Sequence, residues 1–156
     1  EAVDRVSVQS LDLREVESRL PITANIRVRD HVEDEWIDQF CLLSSVDGRH
    51  KPTMKQMLSN RCSAQGFVSI ELGGEVVACG LGMVDRRVLG IYDIIVSPKH
   101  RNQGWGEQLV TSILRWGKEM GAELGTLAVL VENTPARKLY SKLGFKEVYQ
   151  YWFRVK

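Results

Sequence analysis

Arg101-Asn102-Gln103-Gly104-Trp105-Gly106 stands between an apolar run, Val88 to Val96, and a stretch with helical periodicity, Gly106 to Met120. Two glycines at a strand-to-helix junction let successive backbone N–H groups turn toward one point without interference from a Cβ. The N–H groups at a helix start lack intrahelical acceptors and carry positive partial charge. Such a junction suits an anion, above all a phosphate or pyrophosphate. Lys99 and Arg101 add full charges beside it. The spacing is not a Walker loop, because no Gly-Lys-Ser/Thr follows, and it is not the Gly-x-Gly-x-x-Gly of dinucleotide folds. On spacing alone, a glycine-rich turn that binds nothing fits equally well.

The context decides. Further along comes Asn133-Thr134-Pro135-Ala136-Arg137-Lys138-Leu139-Tyr140-Ser141-Lys142-Leu143-Gly144-Phe145. Val96 to Gly106 resembles the acyl-CoA-binding motif of the GNAT acetyltransferase superfamily, (Gln/Arg)-x-x-Gly-x-(Gly/Ala). Asn133 to Phe145 resembles its second signature, Asn-x-x-Ala-x-x-Leu-Tyr-x-x-x-Gly-Phe. The two motifs occur in order and at the expected separation. The resemblance is close over residues 65–155 and loose over 1–64. The aromatic end Tyr149 to Val155 and the run Ala78-Cys79-Gly80-Leu81-Gly82 are similar to bacterial GNAT proteins in which a degenerate half precedes an intact C-terminal half. That likeness implies that residues 1–20 are an extension or linker and that 21–156 form one GNAT domain.

The resemblance also implies roles. The pantetheine arm of acetyl-CoA would run along Ile94-Ile95-Val96, and the amides of Gln103, Gly104, Trp105, Gly106 and Glu107 would hold the pyrophosphate. Arg101 and Asn102 lie in the same loop, Arg137 on the helix that follows. Asn133 matches a pantetheine-binding position; it also suits a turn before a helix cap. Tyr140 matches the general acid. A thiol with a pKa of ~8.5 leaves more readily if a phenol of ~10 donates to it. Tyr140 also fits as the large apolar residue of a buried helix face. An acceptor ammonium must lose a proton before it attacks, and carboxylates suited to taking it are Asp93 and, less well placed, Glu132. Asp93 suits an ion pair with an arginine as readily. Strand alternation puts Tyr92 on the sheet face opposite Asp93, so only one of them should line the cleft.

These groups need a frame. Val6 to Val8 suits a short strand, Asp12 to Leu20 a helix ended by Pro21, and Ile22 to Arg29 a strand. Asp30 suits the cap of a helix with Trp36, Ile37, Phe40 and Leu43 on its apolar face. Pro52 to Leu58 reads as another helix. A meander follows: Phe67 to Leu72, a Gly73-Gly74 hairpin turn, Val76 to Val84, a turn at Asp85 to Arg87, and Val88 to Val96. Pro98 stops the last strand. Gly106 to Met120 is a helix closed by Gly121. Thr126 to Val131, continuously apolar, reads as a strand buried on both faces. Thr134 would cap a helix with Pro135 in its first turn, and Glu147 to Val155 closes the chain as a strand. Hairpins first and strand–helix–strand–helix–strand afterwards predict a mixed α/β sheet. The family fold adds a splayed parallel pair, Leu89–Val96 and Thr126–Val131.

Composition narrows the function. The 156 residues carry a formal net charge of +1, which gives a nucleic-acid partner little to work with. The basic patches Arg86-Arg87 and Lys99 to Arg101 read as solvated surface or phosphate site. Three cysteines without CxxC spacing and scattered histidines support neither a disulfide framework nor a metal site. Cys79 reads as a buried thiol, not a nucleophile. No apolar stretch reaches the ~20 residues of a membrane span, and Glu1 to Arg5 does not open a signal peptide. The expectation is a cytoplasmic enzyme, monomer or homodimer. It would carry an acetyl group from acetyl-CoA directly to a primary amine on a small molecule or peptide, without a metal. The alternative is an acyl-CoA-binding module that does not catalyse. Trp36, Phe40, Met54 and Met57 suit core packing better than an acceptor pocket. The chain opens without methionine, as a processed protein or a piece of a longer one does.

Overall fold

A computed structural model describes residues 2–16, 22–59 and 63–154. The elements are β1 (Ala2–Asp12), β2 (Asn25–Arg29), α1 (Asp34–Ser44), α2 (Lys51–Ser59), β3 (Ala64–Leu72), β4 (Glu75–Asp85), β5 (Val88–Val96), α3 (Trp105–Glu119), β6 (Leu124–Leu130), α4 (Thr134–Leu143) and β7 (Lys146–Arg154). They form one seven-stranded mixed sheet in the order β2-β3-β4-β5-β6-β1-β7. Every neighbouring pair is antiparallel except β5 and β6.

Alternation along β4 divides the core. Ala78, Val84 and the α3 residues Leu109, Val110 and Ile113 pack together on one face, joined by Tyr140 and Phe145. Cys79, Leu81 and Met83 pack on the other face against Trp36, Ile37 and Cys41 of α1 and Leu58 of α2. Each fully buried aliphatic side chain of this kind contributes about 1.5–3 kcal/mol. Helix α3 lies close on the sheet: a Cβ at Gly82 would come within 2.8 Å of Ile113 Cγ2 and 3.0 Å of Trp116.

The meander, its two turns and both C-terminal helices form as expected. Gly73 and Gly74 take φ of 60° and 81°, while the other turn forces Arg86 and Arg87 to 48° and 64°.

Four expectations change. The segment read as an extension or linker supplies a sheet strand: β1 lies between β6 and β7 and pairs with both. The helix expected from Asp12 to Leu20 is absent over its described part, where Leu13 is buried and donates its N–H to Glu123; residues 17–21 lie outside the described residues. Asp30 does not cap α1. Glu33 is the N-cap residue without a side-chain bond, and the Asp30 carboxylate pairs with His31 at 2.7 Å. Strand β6 is not buried on both faces. Leu127 and Val129 are buried while Ala128 and Leu130 are exposed, because α3 covers only one side.

Candidate functional site

The glycine-rich junction before α3 is built as its glycines require. Gly104 is the N-cap of α3 at φ 85°, a conformation a Cβ would strain. It has no side chain with which to cap. The first intrahelical bond is Gln108 N–H to Gly104 C=O, so the amides of Trp105, Gly106 and Glu107 are uncommitted within the helix. A Cβ at Gly104 would meet nothing within 4 Å, so the space above the loop is open. Asn102 also takes positive φ, 61°. Glu107 is tied to Lys142 of α4 at 2.8 Å, and the Trp105 indole donates to Gln103.

The parallel pair opens beside this loop. Strands β5 and β6 pair at Val88, Leu89 and Gly90 and then part, although β5 runs on to Val96. Beyond Gly90 the β6-facing edge of β5 has no strand partner among the described residues. The gap is a cleft of about 840 Å³. Among the expected residues, Asp93, Ile94, Ile95 and Val96 line it from β5. Arg101, Asn102, Gly104, Trp105, Gly106 and Glu107 line it from the loop, and Asn133 and Tyr140 from the far side. Gln103 and Arg137 lie outside the lining; Arg137 instead donates to the carbonyl of Val131 at 3.1 Å. Glu132 lies outside it too.

Asn133, not Thr134, is the N-cap of α4, and its side-chain oxygen accepts from the Ala136 amide. That leaves its amide N–H groups for the cleft. Tyr140 is 7% exposed, packed edge-to-face on Phe145 with ring centroids 5.8 Å apart. Burial pushes its phenol above its ordinary pKa of 10.0. Gly144 at φ 101° ends α4 and turns Phe145 back onto Tyr140.

Alternation does not keep Tyr92 and Asp93 apart. The pairing of β4 with β5 skips between Cys79 and Leu81, and Asp93 takes φ 56°. This is a β-bulge, and it breaks the period of two. Tyr92 and Asp93 therefore line the same cleft. No residue type in this stretch announces a bulge. Nearby, the Cys79 thiol is pushed up to about 12, first by burial, then by the Asp93 carboxylate and Cys41. It is fully buried and is no nucleophile. Sequence reasoning also missed His100, which lines the cleft with its Nδ1 buried and unbonded among the described residues. It missed Gln108 as well, whose side chain holds the Thr23 and Ala24 amides to α3.

Residues 27–145 match the model of the Acetyltransferase (GNAT) family, the span that carries both the loop and Tyr140. The chain belongs to this family. It is similar to the uncharacterized N-acetyltransferase YobR of Bacillus subtilis, 29% identical over 78% of this chain and 49% of that one. A second uncharacterized N-acetyltransferase, from Methanocaldococcus jannaschii, is 34% identical over 58% of this chain and 44% of its own length. The chain thus spans about half the length of these relatives. Two solved GNAT structures share the fold. A tandem GNAT protein from the clavulanic acid biosynthesis pathway superposes with a TM-score of 0.73 at 15% identity, covering 97% of this chain and 52% of that one. An aminoglycoside N-acetyltransferase in complex with CoA superposes at 0.67 and 17% identity, covering 88% and 98%. Among the described residues there is no cluster of His, Cys, Asp and Glu that could hold a metal, and no helix long and apolar enough to cross a membrane.

Proposed function

We propose that this GNAT chain transfers an acetyl group from acetyl-CoA directly to a primary amine. The carrying observation is one cleft that joins an anion site at the α3 N-terminus to a buried phenol and, past the bulge, to a carboxylate. Acetyl-CoA supplies the activated acyl group as a thioester. The uncommitted amides of Trp105, Gly106 and Glu107, with Arg101 beside them, bind its pyrophosphate. The free edge of Ile94 to Val96 and the amide of Asn133 hold the pantetheine. A backbone N–H freed by the bulge polarises the thioester carbonyl.

Asp93 takes one proton from the acceptor ammonium, directly or through water. The amine lone pair then forms the C–N bond as the C–S bond breaks. Tyr140 O–H gives its proton to the departing sulfur and is reprotonated by the proton the new amide nitrogen loses. A small-molecule acceptor is in keeping with the CoA-bound aminoglycoside acetyltransferase among the structural neighbours.

The test is an amine screen with acetyl-CoA and a free-thiol readout, run beside CoA titrations. Tyr140→Phe should lower kcat by on the order of 100-fold or more and leave CoA affinity within a few-fold. Because burial disfavours the phenolate, the pKa moves upward, so any fall in the wild-type rate from loss of this O–H should set in above the ordinary phenol range. If the wild type binds CoA yet acetylates no amine, the chain is a binding module.

A further inference from the structure

We infer that Lys142 is a positioning residue for the cofactor: its ammonium holds the Glu107 carboxylate and keeps that negative charge from competing with the pyrophosphate of acetyl-CoA. The inference rests on the acetyl-CoA reading and adds to it a residue outside the cleft lining.

Glu107 stands where an acid is unwelcome to an incoming anion. It is the third residue of α3, and its own amide is among those left uncommitted at the helix start. Its carboxylate suits the helix by itself, because a negative charge in the first turn offsets the helix dipole. It does not suit a pyrophosphate that must approach the same turn. The side chain is 18% exposed and lines the cleft. Asp93, the other acid of that lining, stands on β5. Glu107 is therefore the carboxylate that shares the loop end with Arg101. Left alone, it would repel the pyrophosphate and draw the Arg101 guanidinium toward itself.

Lys142 meets this charge from the opposite wall. It lies in the last turn of α4, and its Nζ stands 2.8 Å from Glu107 Oε2. One turn earlier on the same face of α4, Leu139 packs against Gly106, where an added Cβ would fall 3.3 Å from Leu139 Cδ2. Leu139 and Lys142 thus dock α4 on successive residues of the first turn of α3. Arg101 pairs with no carboxylate among the described residues, so its charge is left for the phosphate. The lysine side chain is 67% exposed and reaches in from solvent. Such a pair adds little to folding stability. Its effect falls on the anion that shares the surroundings of Glu107.

Isothermal titration with CoA tests this on wild type, Lys142→Met, Glu107→Gln and the double variant. Lys142→Met should weaken CoA binding by roughly 10-fold, because the carboxylate is then uncompensated beside the pyrophosphate. Glu107→Gln should leave CoA affinity equal or up to about 3-fold tighter, and the double variant should return to within about 3-fold of wild type. Lys142→Arg, which keeps the charge, should stay within about 2-fold. The loss in Lys142→Met should shrink to less than about 2-fold near 1 M salt. It should persist with dephospho-CoA, which keeps the pyrophosphate and lacks the ribose phosphate. A simple latch between two helices behaves otherwise: both single substitutions weaken CoA binding alike, and the double variant is no better. That pattern overturns the inference. So does wild-type affinity in Lys142→Met, or an effect that vanishes with dephospho-CoA. A wild type that binds no CoA overturns the acetyl-CoA reading instead.

Discussion

The two ends of the cleft are made differently. At the end proposed for the cofactor, free backbone amides stand in the place of side chains. Gly104 is held at φ 85°, the first amides of α3 are free within the helix, and Gly144 turns Phe145 onto Tyr140. Such a site needs particular residues at fixed spacing, because only glycine tolerates the conformation and only a helix start aligns the donors. At the other end of the cleft, Tyr92 and Asp93 of β5 meet Ala128 and Leu130 of β6 where the parallel pair parts. That end needs only the right polarity on one face of each strand. The loop end therefore depends on residue identity at fixed positions, and the strand end on which strands pair.

The sharpest way to break the contrast is Asp93→Asn. With the carboxylate gone and the size kept, kcat near neutral pH should fall by about 100-fold, and the fall should shrink as pH approaches the amine's own pKa. CoA titration should be unmoved; a loss of CoA affinity would make Asp93 part of the cofactor end instead.

Gly104→Val tests the opposite end. A β-branched residue at that φ costs about 1–3 kcal/mol, so isothermal titration should show CoA affinity reduced by roughly 10- to 100-fold. The KM for the amine should change little.

A milder effect is expected of Gly90→Ala. The new Cβ pushes on the Tyr92 ring, not on backbone. Steady-state kinetics should show the amine KM altered several-fold, within the range of one misplaced apolar contact, and the acetyl-CoA KM constant.

The smallest effect on activity belongs to Cys79. Its pKa is raised from 9.0 to about 12 in the fold, so the folded chain holds a proton the unfolded chain releases between those values. Stability gained from the neutral buried thiol is complete below pH 9.0 and is lost as pH rises toward 12. Denaturant midpoints should fall over that window and fall less in Cys79→Val. At neutral pH, a thiol reagent should leave Cys79 unmodified while the protein stays folded.

Legibility followed the same division. Strands β3 to β5, helices α3 and α4, the loop and Tyr140 could all be read from periodicity and glycine placement. Tyr92 and Asp93 were put on opposite faces because alternation assumes an unbroken strand, and the bulge at Asp93 has no composition of its own. Strand β6 was read as doubly buried because its residues are apolar throughout, yet no local property of Ala128 or Leu130 says that a helix is missing above them. Thr134 and Asn133 are both good caps, and the choice of Asn133 turned on where the chain leaves β6.

By itself the sequence determined the family, the mixed sheet and the glycine-rich strand-to-helix junction. These rest on local rules: positive φ at glycine, orphan amides at a helix start, and period-matched apolar faces. Only the tertiary structure decided that residues 2–12 enter the sheet between β6 and β7, and that Tyr92 and Asp93 share one cleft. Both outcomes depend on which strand finds which partner and in what register. Pairing of that kind joins residues far apart in the chain, such as Val8 with Ala128 and Tyr149, and no local window contains it.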